Sequence, residues 1–140
     1  MADIAKRIRH IDHAMLMTHG AQGHINGRPM SSTHELDHSG DTFFFTWDDS
    51  SLVREIERDP KVALAYQGGR QRLGAPGVHV NIEGTATVVR DRAQFVEHWS
   101  PDLERWFGQG LDTPGLVMIR VHARRVHYWD GAAEGEIDVA

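Results

Sequence analysis

Residues 78–89 form the longest β-patterned stretch of the sequence, and Gly84 interrupts it. A glycine inside a strand marks a bulge or the close approach of another backbone. A long bulged strand is also how a small barrel turns a corner. The rest of the chain supplies partners for it. Apolar or β-branched runs occupy residues 14–18, 25–33, 42–46 and 61–67, and two more lie at 116–122 and 126–129 around an expected turn at Ala123-Arg124-Arg125. Turn residues separate several of them, as hairpins require. Closing six or seven such strands removes exposed edges. The pattern therefore predicts a mainly β protein, an antiparallel barrel of about six strands with flanking helices.

Helical spacing appears in four short segments. Ile4, Ile8 and Ile11 predict a helix over 3–13 with Asp3 as its N-cap, and Val53 and Ile56 predict one over 52–58, ended by Asp59-Pro60. Residues 91–99, with Phe95, Val96 and Trp99 facing inward, and 101–107 complete the set. In the strands, alternation places Met15 and Met17 opposite Leu16, with core packing as the expected role of the methionines. It also places Phe43 and Phe45 opposite Phe44, so that this strand is expected to be buried on both faces. The last ten residues are small and acidic without periodicity, so 1–130 reads as one domain and 131–140 as a flexible acidic tail.

Composition removes several function classes. With 15 basic against 20 acidic residues, net charge −5 and no basic run, nothing points to nucleic acid or an anionic membrane as a partner. The absence of cysteine excludes a disulfide framework, a thiolate nucleophile and a cysteine-ligated metal. There is no signal-peptide core and no apolar run long enough to span a bilayer, so a soluble cytoplasmic protein is expected.

The stretch Gly27-Arg28-Pro29-Met30-Ser31-Ser32-Thr33 is where an anionic cofactor is expected. Pro29 cannot donate to a ladder, which places this strand at an edge. An edge leaves main-chain groups free to pair with a planar heterocycle, while the Arg28 guanidinium suits a phosphate or carbonyl oxygen. Read alone, the same residues are an edge strand with one solvated arginine. Ser50 and Ser51 stand at a predicted helix start, where amides and the helix dipole favour a phosphate, although N-capping by Asp49 or Ser50 needs no ligand. Asp48 and Asp49 would repel a phosphate if they faced it. His34, Glu35, Asp37, His38 and Asp41 invite a metal, but they match no established ligand spacing and crowd a turn signal. No metal site is expected.

Taken in order, the residues Ala14-Met15-Leu16-Met17-Thr18, Gly27-Arg28-Pro29-Met30-Ser31, Phe43-Phe44-Phe45-Thr46, Asp49-Ser50, Asp59-Pro60-Lys61-Val62, Gly84-Thr85-Ala86, Trp106-Phe107 and Tyr128-Trp129-Asp130 resemble the pyridoxamine 5'-phosphate oxidase-like FMN-binding split barrels, in their general stress protein branch. The resemblance covers nearly all of residues 10–130. It implies a six-stranded antiparallel split barrel that forms a homodimer, with FMN in each of two grooves between the subunits. By position it carries over Arg28, Met30, Ser31, Phe45 and Thr46 beside the flavin, and Ser50 and Ser51 at its phosphate. Trp106 or Trp129 would help to close the groove. One departure concerns the helix start, which in the family commonly reads Ser-x-Lys with the lysine on the phosphate. Here that residue is Leu52, and Arg54, Arg70 and Arg72 are candidate substitutes.

The expected function is that of an FMN-dependent oxidoreductase related to general stress proteins, exchanging electrons with a small-molecule donor or acceptor. No acid or base is assigned a catalytic role by its spacing. A non-catalytic flavin carrier or sensor is the alternative. A third reading, prompted by Leu52, is a barrel that binds another ligand, such as a haem, a deazaflavin or a flavin with a different tail.

Overall fold

The computed structural model describes residues 1–69 and 77–139. Helix α1 (Ala2–Ile8) leads into strands β1 (His13–His19) and β2 (Ile25–Ser31). Strand β3 (Asp41–Trp47), helix α2 (Ser51–Arg58) and strands β4 (Lys61–Gln67) and β5 (His79–Val89) follow. Helix α3 (Arg92–His98) and two 3-10 turns, Pro101–Arg105 and Gly110–Asp112, precede strands β6 (Leu116–Asp130) and β7 (Ala133–Asp138). All strand pairs are antiparallel, in the order β2-β1-β4-β5-β6-β3, with β7 added alongside β6. The sheet curls into a split barrel. Its two edge strands, β2 and β3, approach each other where the Thr33 hydroxyl donates to the Phe43 carbonyl at 3.0 Å.

The barrel closes around apolar residues presented every second position. Leu16, Leu64, Ile82, Phe44, Ile119 and Val121 fill the interior, and Ile4 and Ile8 of α1 and Leu52, Val53 and Ile56 of α2 belong to the same core. Each fully buried aliphatic or phenylalanine side chain contributes about 1.5–3 kcal/mol. The opposite face of β3 carries a second cluster, in which Phe43, Phe45 and Met118 pack with Phe95, Leu103 and Phe107. The expectation of a strand buried on both faces holds, and β3 is the wall between the two clusters.

Gly84 is both a bulge and a close approach. Register slips between Glu83 and Gly84, so that Glu83 faces Arg125 and Gly84 faces Ala123, leaving Arg124 as the extra residue. A Cβ on Gly84 would collide with the His122 carbonyl oxygen. This corrects the expected turn at Ala123-Arg124-Arg125. Those residues are the bulged middle of one fifteen-residue strand, whose polarity there reflects a bend: the Arg124 carbonyl accepts from the Val139 amide at 2.8 Å.

Four further expectations are revised. The tail contains β7, in which Glu134 and Glu136 meet His127 and Arg125 of β6, while Ile137 packs against the core. Helix α1 ends at Ile8, with Met1 rather than Asp3 as N-cap; Ile11 is buried by the turn that follows, so its spacing only imitates another helical turn. Met15 and Met17 do share a face opposite Leu16, but Met15 is 42% exposed and not a core residue. Val96 is 57% exposed, whereas Phe95 is buried as expected. Among the described residues, no helix is long and apolar enough to cross a membrane.

Candidate functional site

The open seam of the barrel is the place where main-chain chemistry is available. Because β2 pairs only with β1 and β3 only with β6, each exposes one row of amides and carbonyls. Pro29 lies in β2, at the edge where its missing N–H costs least. From the end of β3 the chain passes through Asp48 and Asp49 into α2, so the helix start adjoins the seam. Ser50 is its N-cap: its hydroxyl accepts from the Val53 amide at 3.4 Å, while the Ser51 and Leu52 amides of the first turn have no intrahelical acceptor. Ser51 is exposed.

The cationic groups near the seam are tied to other parts of the chain. Arg28 points to the inner face of β2, opposite Leu16, and Nη2 reaches Glu55 of α2 at 2.7 Å. Its Nη1 donates to the Thr18 hydroxyl at 2.8 Å. Glu55 also accepts from Thr18 at 2.8 Å and from Asn26 at 2.6 Å. Burial pushes the Glu55 carboxyl up, but the hydrogen bonds from Thr18, Asn26 and Arg28, with the Arg28 charge, outweigh it and hold the group below its ordinary value. Arg28 thus bolts the β1–β2 hairpin to α2. It is not a solvated arginine. The signal was present in the sequence: Glu55 falls beside Leu52 and Ile56 on the buried side of α2, where a carboxylate requires a cation.

Leu52, at the family's lysine position, is 3% exposed and belongs to the main core. Arg54 stands nearer the phosphate position, since its Nη1 donates to the Asp49 carbonyl at 2.7 Å and so returns to the helix start. Asp48 is turned to Arg90 at 2.7 Å, which offsets one of the two carboxylates that oppose an anion there. Arg70 and Arg72 lie outside the described residues.

The remaining candidates divide among three surfaces. Met30 and Thr46 are buried on the main-core side, Phe45 is buried in the second cluster against Phe95 and Trp99, and Ser31 pairs with His13. They share the seam's strands but not one side-chain surface, so a ligand along the seam would meet them largely through their backbone. Trp106 is 53% exposed and edge-on to His13, which places it near the Ser31 end of β2. Trp129 instead stacks on His127 and borders a groove of about 530 Å³ on the outer face of the sheet, together with Met17, Ala63 and Glu83. None of the seven candidate flavin residues lines that groove.

The histidine and carboxylate cluster after β2 is dispersed into pairs. Asp37 accepts from the Ser39 and Asp41 amides, Asp41 meets His122 at 2.7 Å, and Glu35 meets His98 at 2.7 Å. No group of three such side chains is poised for a metal among the described residues.

Comparison with known proteins decides the family. The family model described as "Pyridoxamine 5'-phosphate oxidase like" matches residues 1–140. The chain belongs to the pyridoxamine 5'-phosphate oxidase-like family. General stress protein 26 of Bacillus subtilis is 30% identical over 96 residues, covering 68% of this chain and 66% of that protein. The curated relatives are matched over less than two thirds of their own length, down to 44%. Among solved structures, a Clostridium acetobutylicum protein related to general stress protein 26 superimposes with a TM-score of 0.82 at 17% identity, covering 99% of this chain and 93% of that one. The general stress FMN/FAD binding protein of Xanthomonas citri superimposes with a TM-score of 0.71 at 21% identity, covering 99% and 93%. These likenesses establish the split-barrel fold of this pyridoxamine 5'-phosphate oxidase-like chain.

Proposed function

We propose that this protein binds FMN along the barrel seam and acts as a flavin-dependent oxidoreductase, as a dimer whose second subunit closes each site. The observation that carries the reading is the junction of two open strand edges with a helix start, next to which Arg54 is folded back. The edges offer main-chain partners to a planar ring, and the helix amides, the Ser51 hydroxyl and Arg54 offer a phosphate what Leu52 cannot. Support also comes from the Xanthomonas neighbour described as FMN/FAD binding. Arg28 then acts indirectly, by holding β2 against α2 through Glu55. When bound, the flavin would supply two-electron redox chemistry, and the chain its position and polarity.

The visible absorption spectrum, recorded before and after incubation with FMN and removal of unbound ligand, tests this. About one retained flavin per chain is expected, with at least tenfold weaker FMN binding in Arg54→Ala. That tenfold loss corresponds to about 1.4 kcal/mol, the size of one charge-assisted contact. Anaerobic reduction by NADH or NADPH then distinguishes an enzyme from a flavin carrier. The burial of Leu52 favours one other reading, a barrel that has changed ligand; no flavin uptake would overturn FMN binding and mean either that the missing lysine matters or that the ligand has changed.

A further inference from the structure

A second cavity, of about 420 Å³, lies beside the Thr33–Phe43 end of the seam, between α1, the 34–37 turn, Phe43 of β3 and His98 of α3. None of the seven flavin candidates lines it. Its size is that of a small-molecule site. Its wall includes a planar pair: the His98 ring stacks on Phe43 with centroids 3.6 Å apart and 16° between planes, and Glu35 holds His98 Nδ1 at 2.7 Å. A histidine fixed on both sides in this way is positioned, not merely solvated.

His34 adds two features that the fold does not use. Its φ of 63° lies in the left-handed region, where a side chain is unfavourable. Its Nδ1 is buried with no hydrogen-bond partner, while its Nε2 is 3.5 Å from Asp12. A buried imidazole nitrogen without a partner is rare, and the residue that carries it lines the cavity. The charges at the cavity are unequally committed. Glu35 is directed at His98, and Asp37 accepts from the Ser39 and Asp41 amides. Lys6 and Arg9 meet no carboxylate among the described residues, and the Arg9 Nε contact is to His10. The formal charges of the lining balance, two cations against Glu35 and Asp37, but Lys6 and Arg9 are its charged groups without an ion-pair or main-chain partner among the described residues, and the rest of the lining includes Ala5, Leu36 and Phe43.

We propose that this cavity binds a small organic carboxylate with a planar apolar body, its anionic end at Lys6 and Arg9 and its body against the Phe43 and His98 wall. Sodium benzoate is the probe, titrated at constant ionic strength while the imidazole resonances of His34 and His98 are followed by NMR. Saturating shifts of both are expected, with affinity at least tenfold weaker in the double variant Lys6→Ala/Arg9→Ala, whose side chains are exposed and whose fold should persist. His34→Gly relieves the backbone and removes the orphan nitrogen, so it should be more stable yet bind more weakly, read at His98. Shifts that do not saturate, an unchanged affinity in either variant, or inorganic phosphate binding as tightly as benzoate would each overturn the assignment.

Discussion

Glu55 illustrates how one residue decides what another is free to do. Its carboxylate gathers Thr18, Asn26 and Arg28, so Glu55→Ala leaves Arg28 and Asn26 without their acceptor under a helix. Urea denaturation should show a loss of about 2 kcal/mol, the range for hydrogen bonds to a charged group. The Glu55 carboxyl is held below its ordinary value of 4.5, so its contribution to stability is complete above that pH and declines as pH falls through its folded-state value. In Glu55→Gln that part of the acid decline should be smaller; an unchanged acid limb would show that the carboxylate gains nothing from its partners. Tyr66 presents the opposite case. Its hydroxyl is buried without a well-formed hydrogen bond, and burial pushes the phenol up to about 12, the nearby Thr42 side chain drawing it back only in part. Because the folded state resists ionisation, stability falls as pH rises above 10 toward that value. Tyr66→Phe should therefore leave stability unchanged or raise it by up to about 1 kcal/mol at neutral pH, and flatten the alkaline decline. A loss larger than that in thermal denaturation would reveal a hydroxyl partner.

At the scale of elements, the barrel depends on the β5 and β6 bend. Gly84 admits the His122 carbonyl where any Cβ would collide, and β6 cannot retreat because β7 and β3 pair along its other side. Gly84→Ala should cost about 2–3 kcal/mol, as overpacking does when the neighbour is backbone. Chemical denaturation would measure it, and a cost under about 0.5 kcal/mol would mean that the strands slide freely at the bulge. The same bend explains why Ala123-Arg124-Arg125 reads as a turn in sequence: an extra polar residue without a partner on β5 looks alike in a bulge and in a loop. The acidic end of the chain misleads for a related reason. Alternation of Glu134 and Glu136 with small residues and Ile137 is weak in hydropathy, and the segment becomes a strand by pairing with β6, whose His127 and Arg125 meet its carboxylates.

For the whole molecule, the proposed dimer accounts for apolar groups that one chain leaves uncovered. Met15 is 42% and Ile25 71% exposed on the β1–β2 hairpin, and Trp106 is 53% exposed near Ser31. Light scattering of the purified protein should give twice the 15.8 kDa chain mass. Met15→Lys/Ile25→Lys should shift it toward monomer, since a buried charge opposes association, and should release flavin at the same time. A monomeric wild type that retains flavin would sink the shared-site reading, while a dimer unaffected by the substitutions would move the interface elsewhere.

What the sequence determined by itself was the architecture and the neighbourhood of the seam. The alternating faces of Phe43, Phe44 and Phe45, the edge marker Pro29, the cap at Ser50 and the glycine at 84 are local signals, legible because each depends on backbone geometry a few residues wide. The direction of a long charged side chain is not local. Arg28 turns inward because Glu55, 27 residues later, is brought over it by α2, and Arg54 reaches the helix start only once the helix exists. The pairing of Glu35 with His98, 63 residues apart, likewise required the second cluster to carry α3 across β3. Only the tertiary structure decided these, because an ion pair depends on distance in space, and sequence separation does not encode it.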